Sequence, residues 1–169
     1  MKYSLNHDKH FMPMIEILRD FKANVLKSEH KTLKICVERN NGYNFIYSLE
    51  IYANPTPEQK EQNYQICERL VKSILWVAGG YKIYICGDEY VYSRIADDYS
   101  LAGARAFDFV TMANVYESDF EVVLTTEEDF PAEKKVSLAI GGHLNGCRIG
   151  FDAGGSDRKV SAVIDGEVV

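Results

Sequence analysis

Cysteine is sparse in this chain, and its spacing excludes one common role. Cys36, Cys67, Cys86 and Cys147 stand singly, with no Cys-x-x-Cys pair. That spacing leaves no zinc site of the paired-cysteine type, and three of the four lie inside apolar segments, so buried reduced thiols are expected. Long hydrophobic runs are missing too. No stretch approaches the roughly 18–20 apolar residues of a membrane-spanning helix, and Met1-Lys-Tyr-Ser-Leu-Asn-His-Asp-Lys-His10 lacks the apolar core of a signal peptide. A cytoplasmic protein without a membrane partner is the expectation. A basic excess is also absent: the net charge is −6, which argues against nucleic acid as a partner of this segment. His7 and His10 share a helical spacing but have no third ligand nearby, so a solvated terminal segment is favoured over a metal site. What remains is a globular composition, 46% hydrophobic and 26% charged, sufficient for one ordinary domain and a short appendage.

The hydrophobic pattern alternates between helix and strand periods. Pro13 suits a first helical turn, and Met14, Leu18, Phe21 and Val25 recur at helical spacing, predicting a helix over 12–27. Leu33, Ile35 and Val37 then alternate with polar neighbours, as do Phe45, Tyr47, Leu49 and Ile51. Asn41-Gly42 between the two runs predicts a hairpin. Thr56-Pro57-Glu58-Gln59 is a helix start, with an N-cap hydroxyl, proline at the first position and glutamine three residues after the cap. Ile66, Cys67, Leu70, Val71, Ile74 and Val77 continue it as one apolar stripe, and Gly79-Gly80 ends it.

A strand over 81–86 is expected next, followed by a helix capped at Gly87-Asp88, preferred over a second hairpin through Tyr90-Val-Tyr92 because Val91, Ile95 and Tyr99 keep helical spacing. Residues 101–117 read as mostly helical, 120–125 as a strand, 126–135 as a polar surface loop and 136–140 as a further short strand. These elements predict an α/β or α+β fold with one layer of helices on a mixed sheet. Arg105, Asp108 and Glu117 read as a solvated helix face and His143 as a loop histidine. The tyrosines at 81, 84, 90, 92 and 99 read as sheet and core packing before a binding platform.

The C-terminal stretch is the one that points to a particular chemistry. Two short strands flank Asp152-Ala-Gly-Gly-Ser-Asp157. Gly154 and Gly155 put no side chain between backbone N–H groups and an anion and are free to adopt positive φ. Ser156 adds a hydroxyl, and Arg158 and Lys159 add positive charge. Asp152, at the strand end, is placed to hold magnesium through water.

This segment resembles the opening phosphate-binding hairpin of the actin-like ATPase superfamily, and within it the ROK family of sugar kinases and repressors. The resemblance lies in Ile149-Gly-Phe-Asp152-x-Gly154-Gly155-Ser156, Lys159 and Val163-Ile-Asp-Gly-Glu167. Ser156 stands where the family has threonine, and Asp157 adds a negative charge. The resemblance implies Mg-ATP as cofactor, with Asp152 on the metal, Gly154, Gly155 and Ser156 around phosphates, and Lys159 offsetting charge. It implies a sugar as substrate or effector. The rest of such a site, including the catalytic carboxylate, would follow Val169. The expectation is therefore an accessory domain over 1–146 and the start of an actin-like domain over 147–169, inactive by itself. The alternative is a non-enzymatic binding or dimerisation module of a ROK-type regulator, self-associating through a tyrosine-rich face.

Overall fold

A computed structural model describes residues 8, 11–135 and 141–169. The chain divides into two compact units, Met1–Lys135 and Val136–Val169. This division lies ahead of the boundary expected near Gly146. The strand expected over 136–140, together with His7 and His10, falls outside the described residues.

The first unit is a mixed α/β layer structure. Its strands are β1 (His30–Glu38), β2 (Asn44–Tyr52), β3 (Lys82–Cys86) and β4 (Glu121–Thr125), in the order β2-β1-β3-β4. β1 pairs antiparallel with both β2 and β3, and β3 pairs parallel with β4. Consequently β2, β3 and β4 all run in one direction. The β1–β2 hairpin closes through Asn40–Gly42, where Asn41 and Gly42 both take positive φ, 65° and 70°. Asparagine and glycine are the residues that adopt this conformation at least cost, which is why the dipeptide marks the hairpin.

Among the described residues four helices cover the sheet: α1 (Met14–Val25), α2 (Pro57–Ala78), α3 (Glu89–Asp98) and α4 (Ala106–Tyr116). The inward strand positions Leu33, Ile35, Val37, Leu49, Ile51, Ile83 and Ile85 form one core with Phe21 and Val25 of α1, Val71 and Leu75 of α2, Val91 and Ile95 of α3, and Met112 of α4. Each fully buried aliphatic side chain contributes about 1.5–3 kcal/mol through its removal from water. The capping box at Thr56 is formed as the sequence predicts. Gln59 N–H donates to Thr56 Oγ1, and Thr56 N–H donates to Gln59 Oε1. Asn63 is a polar residue inside the α2 stripe, and it is buried because it pairs with both the N–H and the C=O of Tyr52, each at 3.1 Å. It thereby satisfies the last residue of β2 and fixes α2 along that strand.

The helical reading of 101–117 is too long at its start. Gly103 packs so tightly that a Cβ there would lie 2.2 Å from the carbonyl oxygens of Asp97 and Asp98. That turn separates α3 from α4, and α4 begins only at Ala106. The loop after β4 runs along the outer sheet face, where Lys34 pairs with Glu127 and Asn44 exchanges hydrogen bonds with the backbone of Ala132 and Lys134.

Three thiols, Cys36, Cys67 and Cys86, are buried as expected, whereas Cys147 is exposed. Desolvation, reinforced by Glu38, pushes the Cys36 thiol from 9.0 up to about 12. Desolvation and the hydrogen bond to Asp98 push Tyr64 from 10.0 up to about 12. Both groups hold their protons more tightly folded than unfolded. Their stabilisation is therefore complete below the unfolded values and is lost as pH rises through the folded ones. Thermal melts should show no loss from these two groups between neutral pH and about 9, and a progressive fall toward pH about 12; a midpoint unchanged at pH 12 would contradict these assignments.

Among its described residues the second unit is a three-stranded antiparallel sheet of β5 (Cys147–Ala153), β6 (Arg158–Ile164) and β7 (Glu167–Val168). The strand–turn–strand predicted for the segment is present. The sequence reading did not include β7, which returns through a turn at Asp165-Gly166, both residues at positive φ. The β5–β6 register places Ile149, Phe151, Ala162, Val160 and Ile164 on one face and Gly150, Asp152, Lys159 and Ser161 on the other. The large apolar residues of the first face remain exposed among the described residues.

Candidate functional site

In the second unit the β5–β6 register sets Asp152 opposite Lys159 and Ala153 opposite Arg158, leaving Gly154, Gly155, Ser156 and Asp157 as the turn. The alternation of β5 and the glycine pair, which is a poor strand former, place all five predicted residues, Asp152, Gly154, Gly155, Ser156 and Lys159, at one end of the hairpin. All five are exposed. Lys159 Nζ lies 3.1 Å from an oxygen of Asp157 and 4.0 Å from one of Asp152. The ammonium is shared between two carboxylates at a surface where such pairs contribute only about 0–1 kcal/mol, so an incoming anion can exchange for them cheaply.

The glycines act differently from the sequence reading. Neither Gly154 nor Gly155 takes positive φ. A Cβ at Gly154 would lie 2.7 Å from Asp157 Oδ1, so that side chain sits against the turn, while a Cβ at Gly155 would touch nothing within 4 Å. Backbone conformation does not require glycine at 155. The open space above it lets another molecule approach the main chain. Asp152 supplies one carboxylate at this end of the hairpin, and among the described residues no group of three or more His, Cys, Asp or Glu side chains is gathered for a metal ion. A magnesium ion here would need Asp152 together with phosphate oxygens and water, which is how that ion is commonly held.

In the first unit a cleft of ≈ 1070 Å³ lies at the carboxyl ends of β2, β3 and β4. Asn54 follows β2, Gly87 and Asp88 follow β3, Thr125 ends β4, and Lys31 enters from the start of β1. The first turns of α2 and α3 also face it, bringing Lys60 and Tyr90. Asp88 caps α3 by accepting from Val91 N–H at 2.8 Å and pairs with Lys31 at 2.9 Å. Lys60 Nζ stands 4.1 Å from the centre of the Tyr90 ring. Crevices outside the carboxyl ends of parallel strands are the usual ligand positions of open α/β sheets. The sequence reading missed this cleft, although two helix starts that each follow a strand, Thr56-Pro57 and Gly87-Asp88, were the available signal.

No family model, no curated protein and no solved structure matches the chain. The functional reading therefore rests on residues and geometry.

The remaining sequence candidates are distributed. Arg105 and Asp108 are not a solvated face. Arg105 pairs with buried Glu68, and Asp108, only 2% exposed, accepts from Lys72 Nζ and Trp76 Nε1. Glu117 ends α4 in the left-handed conformation and is exposed. The tyrosines do not form one platform: Tyr81 packs on Tyr116, Tyr99 stacks in the core on Phe120, and Tyr90 bonds to Arg94. His143 is an exposed loop residue whose carbonyl accepts from Arg148 Nε. Among the described residues no helix is long and apolar enough to cross a membrane.

Proposed function

We propose that residues 147–169 are the phosphate-binding hairpin of an actin-like, ROK-type ATP-binding domain, and that residues before them are an accessory module of a sugar kinase or regulator. The observation that supports this most is the paired Asp152 and Lys159 next to a Gly154-Gly155-Ser156 turn that is open at Gly155. In this reading the open side of Gly155 admits phosphate oxygens to the main chain. Ser156 donates its hydroxyl, Lys159 leaves Asp157 for the incoming charge, and Asp152 orients the magnesium with its water shell. Bound Mg-ATP supplies the transferable phosphoryl group, and the chain's own residues position it and neutralise charge.

One turn provides only one side of such a site. The exposed apolar face of β5 and β6 supports the same reading, because a sheet face bearing Ile149, Phe151, Val160 and Ile164 needs a second layer to bury it. The 169-residue chain alone is expected to hydrolyse ATP no faster than background. In a polypeptide carrying the complete ATPase domain, Asp152→Ala should lower kcat for sugar-dependent ATP turnover on the order of 100-fold or more, with the KM for sugar little changed. Steady-state kinetics of the pair checks this, and equal turnover would refute the assignment. The cleft of the first unit favours a second reading, a non-enzymatic binding module, in which Asp152→Ala would change nothing and the ligand would be held around Lys31, Lys60 and Tyr90.

A further inference from the structure

We infer that α4 is the contact helix of a two-fold homodimer, with the helix of one copy lying antiparallel to that of its mate. This surface shares no residue with the turn or the cleft, and it does not depend on the phosphate reading. The sequence of α4, Ala-Phe-Asp-Phe-Val-Thr-Met-Ala-Asn-Val-Tyr, is apolar almost all round, and its one charged side chain, Asp108, is buried and neutralised by Lys72. A helix without a polar face is ordinarily covered on both sides. Here one side meets the core through Met112, Phe109 and Ala113. The other presents Phe107, Val110, Thr111, Asn114 and Val115, with Phe107 71% and Val115 66% exposed. Trp76 of α2 widens this stripe by stacking on Phe107, with the ring planes within 3°. Aromatic anchors of this kind dominate the energetics of protein interfaces.

Charge selects a second copy and its direction. The chain has a net charge of −6, so two copies repel unless they meet where no like charges face each other, and the α4 stripe has no charged side chain. Its two ends are opposite in character. At the start of α4, Arg105 supplies no side-chain hydrogen bond to the first turn, and the one carboxylate of that turn, Asp108, is already neutralised by Lys72, which leaves the positive end of the helix dipole without a free counter-charge. Just beyond its end lie exposed Glu117 and Asp119. An antiparallel mate puts the acidic end of each copy beside the uncapped start of the other, and a parallel one would stack like ends. About a two-fold axis near Thr111, Phe107 of one copy meets Val115 of the other, since both are four positions from it. An isologous contact of this kind closes on itself.

Sedimentation of the full 169-residue chain tests the arrangement. The wild-type chain should run as a dimer at roughly 100 μM, in the range of a modest specific interface. Phe107→Glu should weaken association at least about 30-fold, the loss typical of a central aromatic anchor. Asn114→Arg, at an exposed position where folding is not at risk, should do the same. Val115→Lys alone should also dissociate the dimer. The double variant Phe107→Glu/Val115→Lys should restore association, because each glutamate then faces a lysine of the mate. A wild-type chain that is monomeric at this concentration overturns the proposal and leaves the stripe to a partner of other chemistry. Undiminished dimerisation of Asn114→Arg overturns the choice of face, and failure of the double variant to recover overturns the antiparallel pairing. Circular dichroism of each variant confirms that helix content is retained.

Discussion

Asp108→Ala is expected to lower the unfolding free energy by about 3 kcal/mol, the low end of what removal of one partner from a buried ion pair costs. Asp108 is 2% exposed and accepts three hydrogen bonds, two from Lys72 Nζ and one from Trp76 Nε1, all at 2.8 Å. Truncation leaves an ammonium and an indole N–H against an apolar helix. Lys72, a third exposed, still reaches water, which keeps the loss from the upper end of the range. Replacing both members with apolar residues, as in Asp108→Leu with Lys72→Met, should recover much of the stability, since the desolvation of both charges is then removed together. Tyr99→Phe is the contrasting change. The Tyr99 hydroxyl is buried without a hydrogen-bond partner among the described residues, so its removal should cost nothing measurable or stabilise slightly. Urea denaturation of the three variants gives the values, and a loss below 1 kcal/mol for Asp108→Ala would mean that this pair does not hold α4 against α2.

The contrast between Asp108 and the hairpin turn indicates which features the sequence made legible. Elements announced by local chemistry were readable: the Thr56 capping box, the Asn41-Gly42 turn, the alternation in β1 and β2, and the Asp152-x-Gly-Gly-Ser turn all involve neighbours within a few residues. Features that depend on distant partners were not. Arg105 and Asp108 read as surface charges because their counterparts, Glu68 and Lys72, lie on another helix. Asn63 interrupts an apolar stripe for a reason visible only once Tyr52 is beside it. The cleft draws on the ends of four strands and the first turns of two helices, a convergence set by the order β2-β1-β3-β4 rather than by any contiguous motif. In the turn itself the residue types were legible and the backbone was not, since glycine permits positive φ without requiring it.

Gly87→Ala should be among the most destabilising small substitutions in the chain, at a cost on the order of 4 kcal/mol. Gly87 follows β3 with φ at 107°, a conformation that strains any side chain by about 1–3 kcal/mol. An added Cβ would also lie 2.5 Å from the carbonyl oxygen of Thr32 and 3.3 Å from Leu33 Cα. Both neighbours are main chain of β1, so relief requires β1 and β3 to separate where Leu33 and Ile85 are fully buried, a further overpacking cost of about 1–3 kcal/mol. Gly155→Ala provides the control within the same molecule: its φ is not positive and the new methyl meets nothing, so stability should change by less than about 0.5 kcal/mol. Chemical denaturation of both variants decides the matter, and a Gly87→Ala protein within 1 kcal/mol of wild type would contradict the close approach of the two strands. If the proposed ATPase reading holds, a Gly155→Ala protein that is stable but loses nucleotide turnover would separate the two uses of glycine, since the fold needs it at 87 and only a ligand would need it at 155.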